Sequence, residues 1–401
     1  MEAARIIASL ARITRDVGRA EELAQDALVA ALEQWPKSGV PDNPGAWLMQ
    51  AAKHRAIDEI RHNKQAKRKH EELGREAEAR QGMPAEIDDE EINDDVLRLI
   101  FTACHPVLSQ ESRVTMTLRL IGGLSTEEIA RAFLAPEPTI AQRIVRAKKT
   151  LSEAQVPFES PRGEELQERL GSVLEVIYLI FNEGYSATAG GDWLRRELCD
   201  EALRLGRVLA GLAPREPEVH GLVALMEFQA SRLRARVGQG GEPVLLLDQD
   251  RTRWDRTLIQ RGFAALEQAE KLGGQRSPYA LQAALAACHA RAATAEDTDW
   301  ARIVGLYGTL SEVTPSPIIE LNRAVALSKL MGPEAGLNIV EGLSEELEDY
   351  HLLHSVRGDL LEKLGRNQEA RAQFERAAAM TKNEQERKLL LKRANEAARS
   401  A

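Results

Sequence analysis

The chain has 401 residues, of which 43% are hydrophobic, 4% aromatic and 29% charged, and its formal net charge at pH 7 is -9. That length allows two or three domains, and few aromatics beside abundant Ala, Leu, Glu and Arg favour an all-α fold. The net acidity excludes indiscriminate nucleic-acid binding by the whole surface, though not binding by a local basic patch, and no apolar run is long enough to span a bilayer. Cys104, Cys199 and Cys288 sit far apart inside apolar helical stretches and read as small core residues rather than ligands or disulfide halves. With no signal-peptide pattern, the expected location is cytoplasmic.

In chain order, Ile6, Ile7, Leu10 and Ile13 share one face of a first helix. Asp16-Val17-Gly18 breaks it, and a second helix is expected from about Arg19 to Gln34. Leu23, Ala27, Ala30 and Ala31 form its inner stripe, while Glu21, Glu22, Gln25 and Asp26 are expected to point elsewhere. Pro36 through Pro44 predicts a rigid loop. A helix from Ala46 to Arg61, continuing to His70, would turn Leu48, Ala52, Ile57 and Ile60 inward. Its outer side carries Lys53, Arg55, Arg61, Lys64, Lys67, Arg68 and Lys69, with Trp47 at its start. Cations beside an aromatic suit backbone tracking and base stacking on a single strand; a solvated helix with a core tryptophan is the plainer alternative. His54, His62 and His70 recur without a nearby cysteine or carboxylate cluster, so no metal site is expected.

The acidic run from Glu86 to Asp95 reads as a linker, or as a mimic that fills a basic nucleic-acid channel of a partner. Two amphipathic helices follow, over residues 94–103 and 110–121. Ser125 and Glu128 then form a capping box for a short helix with Ile129, Ala130 and Phe133 on one face. Pro136 and Pro138 stop it, and Thr139 can cap the next helix. That helix turns Ile140, Ile144, Ala147 and Leu151 inward and Gln142, Arg143, Arg146 and Lys149 outward. The pattern is a helix-turn-helix, whose amide and guanidinium groups suit adenine and guanine edges in a major groove.

The order of these pieces resembles an extracytoplasmic-function (ECF) sigma factor of bacterial RNA polymerase over roughly residues 1–155. The resemblance rests on the Ala-Glu-Glu-Leu-Ala-Gln-Asp helix, the Trp-Leu helix ending in Ala-Ile-Asp-x-x-Arg, the acidic linker and the Leu-Arg-Leu-x-Gly-Gly-Leu-Ser-Thr-Glu-Glu-Ile-Ala unit. It implies sigma region 2 over 1–70, a linker over 71–95 and sigma region 4 over 96–155. By position it implies that Glu22, Gln25, Asp26 and Leu28 dock on the clamp helices of polymerase subunit beta prime, with the beta flap as a second contact. It assigns the segment from Trp47 to Arg61, with Lys53 and Arg55, to the melted minus-ten element, with the Lys37–Asn43 loop as a flipped-base pocket, and Lys64, Lys67 and Arg68 of the basic tail are expected to bind DNA beside it. Thr139, Gln142, Arg143, Arg146 and Lys149 fall on the helix that reads the minus-thirty-five element. Pro138-Thr139-Ile140-Ala141 departs from the Gly-Thr-Val-Lys of many members and lacks its cation.

Beyond Pro161 the chain stays helical, with Leu170, Val173, Leu174, Ile177, Ile180 and Phe181 in register. From Asp349, the positions Gly358, Leu361, Gly365, Ala370, Phe374 and Ala377 follow the small-and-aromatic spacing of a tetratricopeptide repeat. The preceding unit places Ala324, Leu327, Ala335 and Ile339 likewise, and weaker starts occur at Pro217 and Pro278. Residues 160–401 are therefore expected to be a helical extension, TPR-like from about 278, as in ECF group forty-two, where such an extension is thought to regulate activity. The segments Phe181–Ser186 and Leu247–Asp255 gather carboxylates, amides and an aromatic, but ordinary ion pairs of Asp250 with Arg253 or Arg251 with Asp255 account for them. No catalytic residue, cofactor or metal is expected. The implied activity is promoter-specific initiation with core polymerase, promoter DNA and an unidentified regulatory protein or ligand as partners, away from any membrane. The alternative is a helix-turn-helix regulator whose repeat domain senses a ligand or peptide.

Overall fold

The computed structural model describes residues 2–71, 89–133, 135–161, 164–186, 194–238 and 242–399. Among them the regular structure is helical apart from a single bridge between Val237 and Pro243. Among the described residues no helix is long and apolar enough to cross a membrane. Two compact units divide at residues 177 and 178.

The first unit begins with α1 (Glu2–Thr14) and α2 (Val17–Ser38). Asp16 caps α2 by accepting from the Arg19 amide at 2.9 Å, so the break lies at Arg15 and Asp16 and Gly18 is already helical. The helix also runs two residues past Pro36, whose fixed φ suits a last turn, and Gly39 ends it at φ +87°. The expected loop therefore starts later than Pro36. α3 (Pro44–Glu71) is launched by Asn43, whose side chain accepts from the Ala46 amide at 3.0 Å. Among its described side chains Leu48, Ala52 and Ala56 are buried, while Ile57 and Ile60 are only half-buried.

α4 (Asp89–Ala103) starts inside the acidic run. Asp95 is fully buried against α1, 3.3 Å from Arg12, and also pairs with Arg98 at 2.7 Å. That end of the expected linker is thus core, because a carboxylate between two guanidinium groups can be desolvated. α5 (Gln110–Thr117) runs into a π-type turn over Leu118–Gly122, and Gly123 at φ +74° closes it.

α6 (Thr126–Ala132) has both halves of the Ser125–Glu128 capping box, with amide-to-oxygen distances of 2.7 and 3.1 Å. α7 (Glu137–Glu153) is capped by Pro136 without a side-chain bond, so Thr139 lies within the first turn and is not the cap. Proline at the start of a helix gives up an amide that has no partner there anyway. Ile140, Ile144, Ala147 and Leu151 are buried as expected. α8 (Glu164–Tyr185) passes from the first unit into the second.

The second unit continues with α9 (Arg196–Leu212), α10 (Pro217–Ser231), α11 (Arg256–Lys271), α12 (Pro278–Arg291), α13 (Trp300–Val313), α14 (Pro317–Met331), α15 (Pro333–Gly342), α16 (His351–Lys363), α17 (Asn367–Met380) and α18 (Glu384–Arg399). Consecutive helices pack as hairpins, and small residues set their spacing. A methyl at Gly358 of α16 would stand 2.8 Å from the Phe374 ring of α17, so the ring occupies the room the missing side chain leaves. In the α14–α15 hairpin the contact residue is Gly336, where a methyl would meet the Ala324 carbonyl at 2.7 Å. Of the expected contacts, Ala335 sits one position before it, and Ile339, three positions after, packs partly buried against the core of this unit.

Candidate nucleic-acid interface

Three surfaces of the first unit carry the residues singled out from sequence. On α7 the apolar stripe fixes the helix by its inner side, which leaves Thr139, Gln142, Arg146 and Lys149 exposed and Arg143 half-buried. Lys149 is 3.5 Å from Glu153, an exposed pair of the kind that contributes little. Arg143 helps hold the Glu111 carboxyl below its ordinary range, after the larger effect of hydrogen bonds at the start of α5. The outer face of α7 is therefore an open row of one amide and three cations, with Val145 at 65% exposure among them.

On α3, Trp47 is half-buried and meets Trp35 of α2 edge-to-face with ring centroids 5.5 Å apart. This fixes Trp47 without enclosing it. Arg55 and Arg61 are exposed and Lys53 is half-buried. The side chains of Lys64, Lys67, Arg68 and Lys69 lie outside the described residues, although the α3 backbone continues through them. His54 is exposed, while the side chains of His62 and His70 fall outside the described set.

On α2, Glu22, Gln25, Asp26 and Leu28 share an outward face that continues as an apolar strip. Leu28 is 42%, Val29 53% and Leu32 76% exposed. Three exposed aliphatic side chains on one helix are a surface a partner can cover. Arg19 braces this helix against α3. Its guanidinium donates to both Glu59 oxygens at 2.5–2.9 Å and to Glu22 at 2.5 Å, and these bonds raise its pKa above an already high value.

The sequence reading missed Glu21. Expected to point away from the inner stripe, it is 4% exposed. Arg119 Nε donates to its Oε1 at 2.6 Å, Lys148 Nζ lies 2.6 Å from its Oε2, and Gln25 Nε2 donates to Oε1 at 3.0 Å. Arg119 comes from the π-type turn and Lys148 from α7. One carboxylate therefore joins the helix with the exposed apolar strip to the helix-turn-helix. Its position was available in principle, since Val17, Glu21 and Ala24 fall on one side of a 3.6-residue repeat. Its partners, 98 and 127 residues further along the chain, were not.

This arrangement of a three-helix bundle with a helix-turn-helix defines a class. The Sigma-70 region 2 family matches residues 2–66 and the Sigma-70, region 4 family matches residues 98–151. A family of unknown function, DUF6596, matches residues 169–270. An uncharacterized protein of Rhizobium meliloti (strain 1021) is 44% identical over 380 residues, covering 94% of this chain and 90% of its own. The ECF RNA polymerase sigma factor SigK of Mycobacterium tuberculosis (strain ATCC 25618 / H37Rv) is 30% identical over 157 residues, 37% of this chain and 78% of its own. The SigK of Mycobacterium bovis (strain BCG / Pasteur 1173P2) shows the same identity and coverage. The chain belongs to the ECF RNA polymerase sigma factors, and it carries a long helical C-terminal extension.

Among the described residues no group of three or more His, Cys, Asp or Glu side chains is placed to hold a metal. The three cysteines are buried and free. Burial pushes the Cys104 thiol up to about 11 and the Cys199 thiol up to about 12, so neither is a ready thiolate.

Proposed function

We propose that this sigma factor binds core RNA polymerase through the outer face of α2 and directs initiation at promoters whose two elements are read by α3 and α7. Leu28, with Val29 and Leu32 beyond it, would cover an apolar patch on the beta prime clamp helices, while Glu22, Gln25 and Asp26 supply the polar rim. Trp47, Lys53, Arg55 and Arg61, continued by Lys64, Lys67 and Arg68, would hold the unpaired minus-ten strand by stacking and charge. On α7, Gln142 and Arg146 would contact base edges, with Thr139, Arg143 and Lys149 on the backbone. No step needs chemistry from the protein itself.

The domain assignment follows the same reading. Residues 1–70 act as region 2, 71–95 as the connection, 96–155 as region 4, and 160–401 as an extension, TPR-like from about 278, that regulates the other two. The approach of Gly358 to Phe374 supports a repeat-like hairpin there.

The observation that carries the proposal is the aliphatic strip of α2, left open at 42–76% exposure in a protein of this family. The test is a pull-down on core polymerase together with run-off transcription. Leu32→Glu, at the most exposed position, should fold normally yet lose core binding by about tenfold or more, as expected for a buried interface anchor. Undiminished core binding would remove the assignment of this face.

A further inference from the structure

Two segments set aside from sequence as ordinary packing, Phe181–Ser186 and Leu247–Asp255, meet in the second unit around a group of arginines. Arg232 ends α10, and the Asp255 amide donates to the Ser231 carbonyl at 2.9 Å, drawing the 3-10 turn Arg251–Arg253 and Trp254 against that end. The Arg232 guanidinium lies 5.8 Å from the Tyr185 ring centroid and 5.7 Å from that of Trp254. Arg251 lies 4.9 Å from the Trp254 ring, and Arg236 lies 3.7 Å from the Tyr185 ring. Arg232 and Arg251 are only 9% and 8% exposed.

Several other arginines of this unit have a carboxylate at hand. Arg195 pairs with Glu183, Arg207 with Glu227 at 2.8 Å, Arg357 with Glu341 at 3.3 Å, and Arg393 with Asp359 at 2.8 Å and Glu362 at 2.5 Å. Arg232 and Arg251 have none within 4 Å among the described residues. Arg232 donates to the neutral Gln229 amide, and Arg251 donates to the His289 and Ala292 carbonyls at 2.5 and 2.8 Å and to Thr298 at 3.4 Å. Glu296 and Asp297 act on Arg251 only from further away.

The surroundings add hydrogen-bonding groups rather than negative charge. The Trp254 indole nitrogen, the Tyr185 hydroxyl and His289 Nδ1 are buried without a hydrogen-bond partner, and Trp254 is 4% exposed. Burial and the two guanidinium groups hold His289 down at about 4, so the ring is neutral. Cations buried without counter-charge are unfavourable unless something compensates them. Guanidinium forks, an indole N–H and a phenol O–H share one complement, a small oxyanion.

We propose that Arg232, Arg251, Trp254 and Tyr185 form a binding site for the phosphate or carboxylate group of a small molecule. The site lies within the DUF6596 segment and does not depend on the sigma-factor reading. A ligand here would give the extension a chemical input of its own.

The test uses full-length protein in calorimetry and thermal unfolding. Sodium phosphate and sodium acetate are titrated separately against sodium chloride at matched ionic strength, and the stronger arm identifies the ligand class. At least one oxyanion should bind saturably and raise the unfolding temperature by mass action. Arg232→Gln should weaken that binding by about tenfold or more, the loss of a charge-assisted bond. Trp254→Phe, which keeps the ring and removes the N–H, should weaken it several-fold, whereas the exposed Arg302→Gln in the same unit should leave it unchanged. If Arg232→Gln does not fold, Trp254→Phe carries the test. Without added oxyanion, Arg232→Met should be as stable as the parent or more so. No response beyond that to chloride, or undiminished affinity in Arg232→Gln and Trp254→Phe, would overturn the proposal.

Discussion

Removing the Glu21 carboxylate should loosen the first unit while helping it reach its partners. The Glu21 side chain is 5% exposed, but those of Arg119 and Lys148 are 22% and 24% exposed. Breaking a fully buried ion pair from one side costs about 3–5 kcal/mol, and an exposed one about 0–1 kcal/mol. In Glu21→Ala the two cations can turn to water, so a loss of about 2 kcal/mol is expected, including the lost acceptor for Gln25. In the double variant Arg119→Met with Lys148→Met the carboxylate is stranded instead, so the loss should reach about 3–5 kcal/mol. If α2 and α7 must separate for two promoter elements to be read at once, the same contact opposes holoenzyme formation. Glu21→Ala should then bind core polymerase more tightly, by up to about 30-fold for 2 kcal/mol. Hydrogen exchange on α2 and α7 with urea unfolding reads the first effect, and a core-binding titration reads the second. A loss below about 0.5 kcal/mol in Glu21→Ala, or a double variant no worse than the single one, would refute the burial argument. Weaker core binding by Glu21→Ala would refute the opposition.

Three further outcomes are expected. Ser125→Ala removes one half of the capping box of α6 and should cost about 1 kcal/mol, seen as faster amide exchange over Thr126–Ala132. Gly358→Ala forces a methyl to within 2.8 Å of the Phe374 ring and should destabilise the α16–α17 hairpin by about 1–3 kcal/mol in calorimetry; an unchanged unfolding temperature would mean that the helices part freely. The folded-state pKa of His289 is about 4, below its ordinary 6.5, so its contribution is complete above pH 6.5 and is lost as pH falls towards 4. That loss should amount to about 3 kcal/mol in unfolding curves, and His289→Phe should flatten the dependence.

How much could be read from sequence depends on the range of the forces involved. The inner face of α7 and the Ser125–Glu128 box were legible because 3.6-residue periodicity and capping chemistry act within a turn or two. Gly358 and Phe374 were legible because a helical hairpin brings near neighbours together. Helix ends were less so: Pro136 takes the cap given to Thr139, since an amide at a helix start has no partner anyway, whereas Pro36 sits in a last turn at the loss of one bond to the Leu32 carbonyl because its fixed φ fits the helix. Glu21 and Asp95 looked like surface acids because the cations that let them be buried come at least partly from elsewhere in the chain: Arg119 and Lys148 for one, Arg12 beside the local Arg98 for the other. The arginine group was hidden for the same reason, since Tyr185, Arg232 and Trp254 converge from separate segments.

The contact at Glu21 also determines what a closed first unit can still do. Lys148 turns towards α2, yet Gln142, Arg146 and Lys149 on the same helix stay exposed. Closure therefore does not cover the face of α7 proposed to read DNA; it ties that face to the helix that supports α3. Inhibition by covering would abolish every DNA contact, whereas inhibition by tethering leaves single-site contacts intact and prevents two distant ones from forming together. Duplexes carrying only a minus-thirty-five element should thus bind the parent protein and Glu21→Ala with equal, salt-sensitive affinity. Duplexes carrying both elements, with the minus-ten strand unpaired, should favour Glu21→Ala, because opening then adds a second contact on the same molecule. A gel-shift comparison of the two DNAs decides between the mechanisms. Stronger binding of the single-element duplex by Glu21→Ala would show that α7 is covered after all.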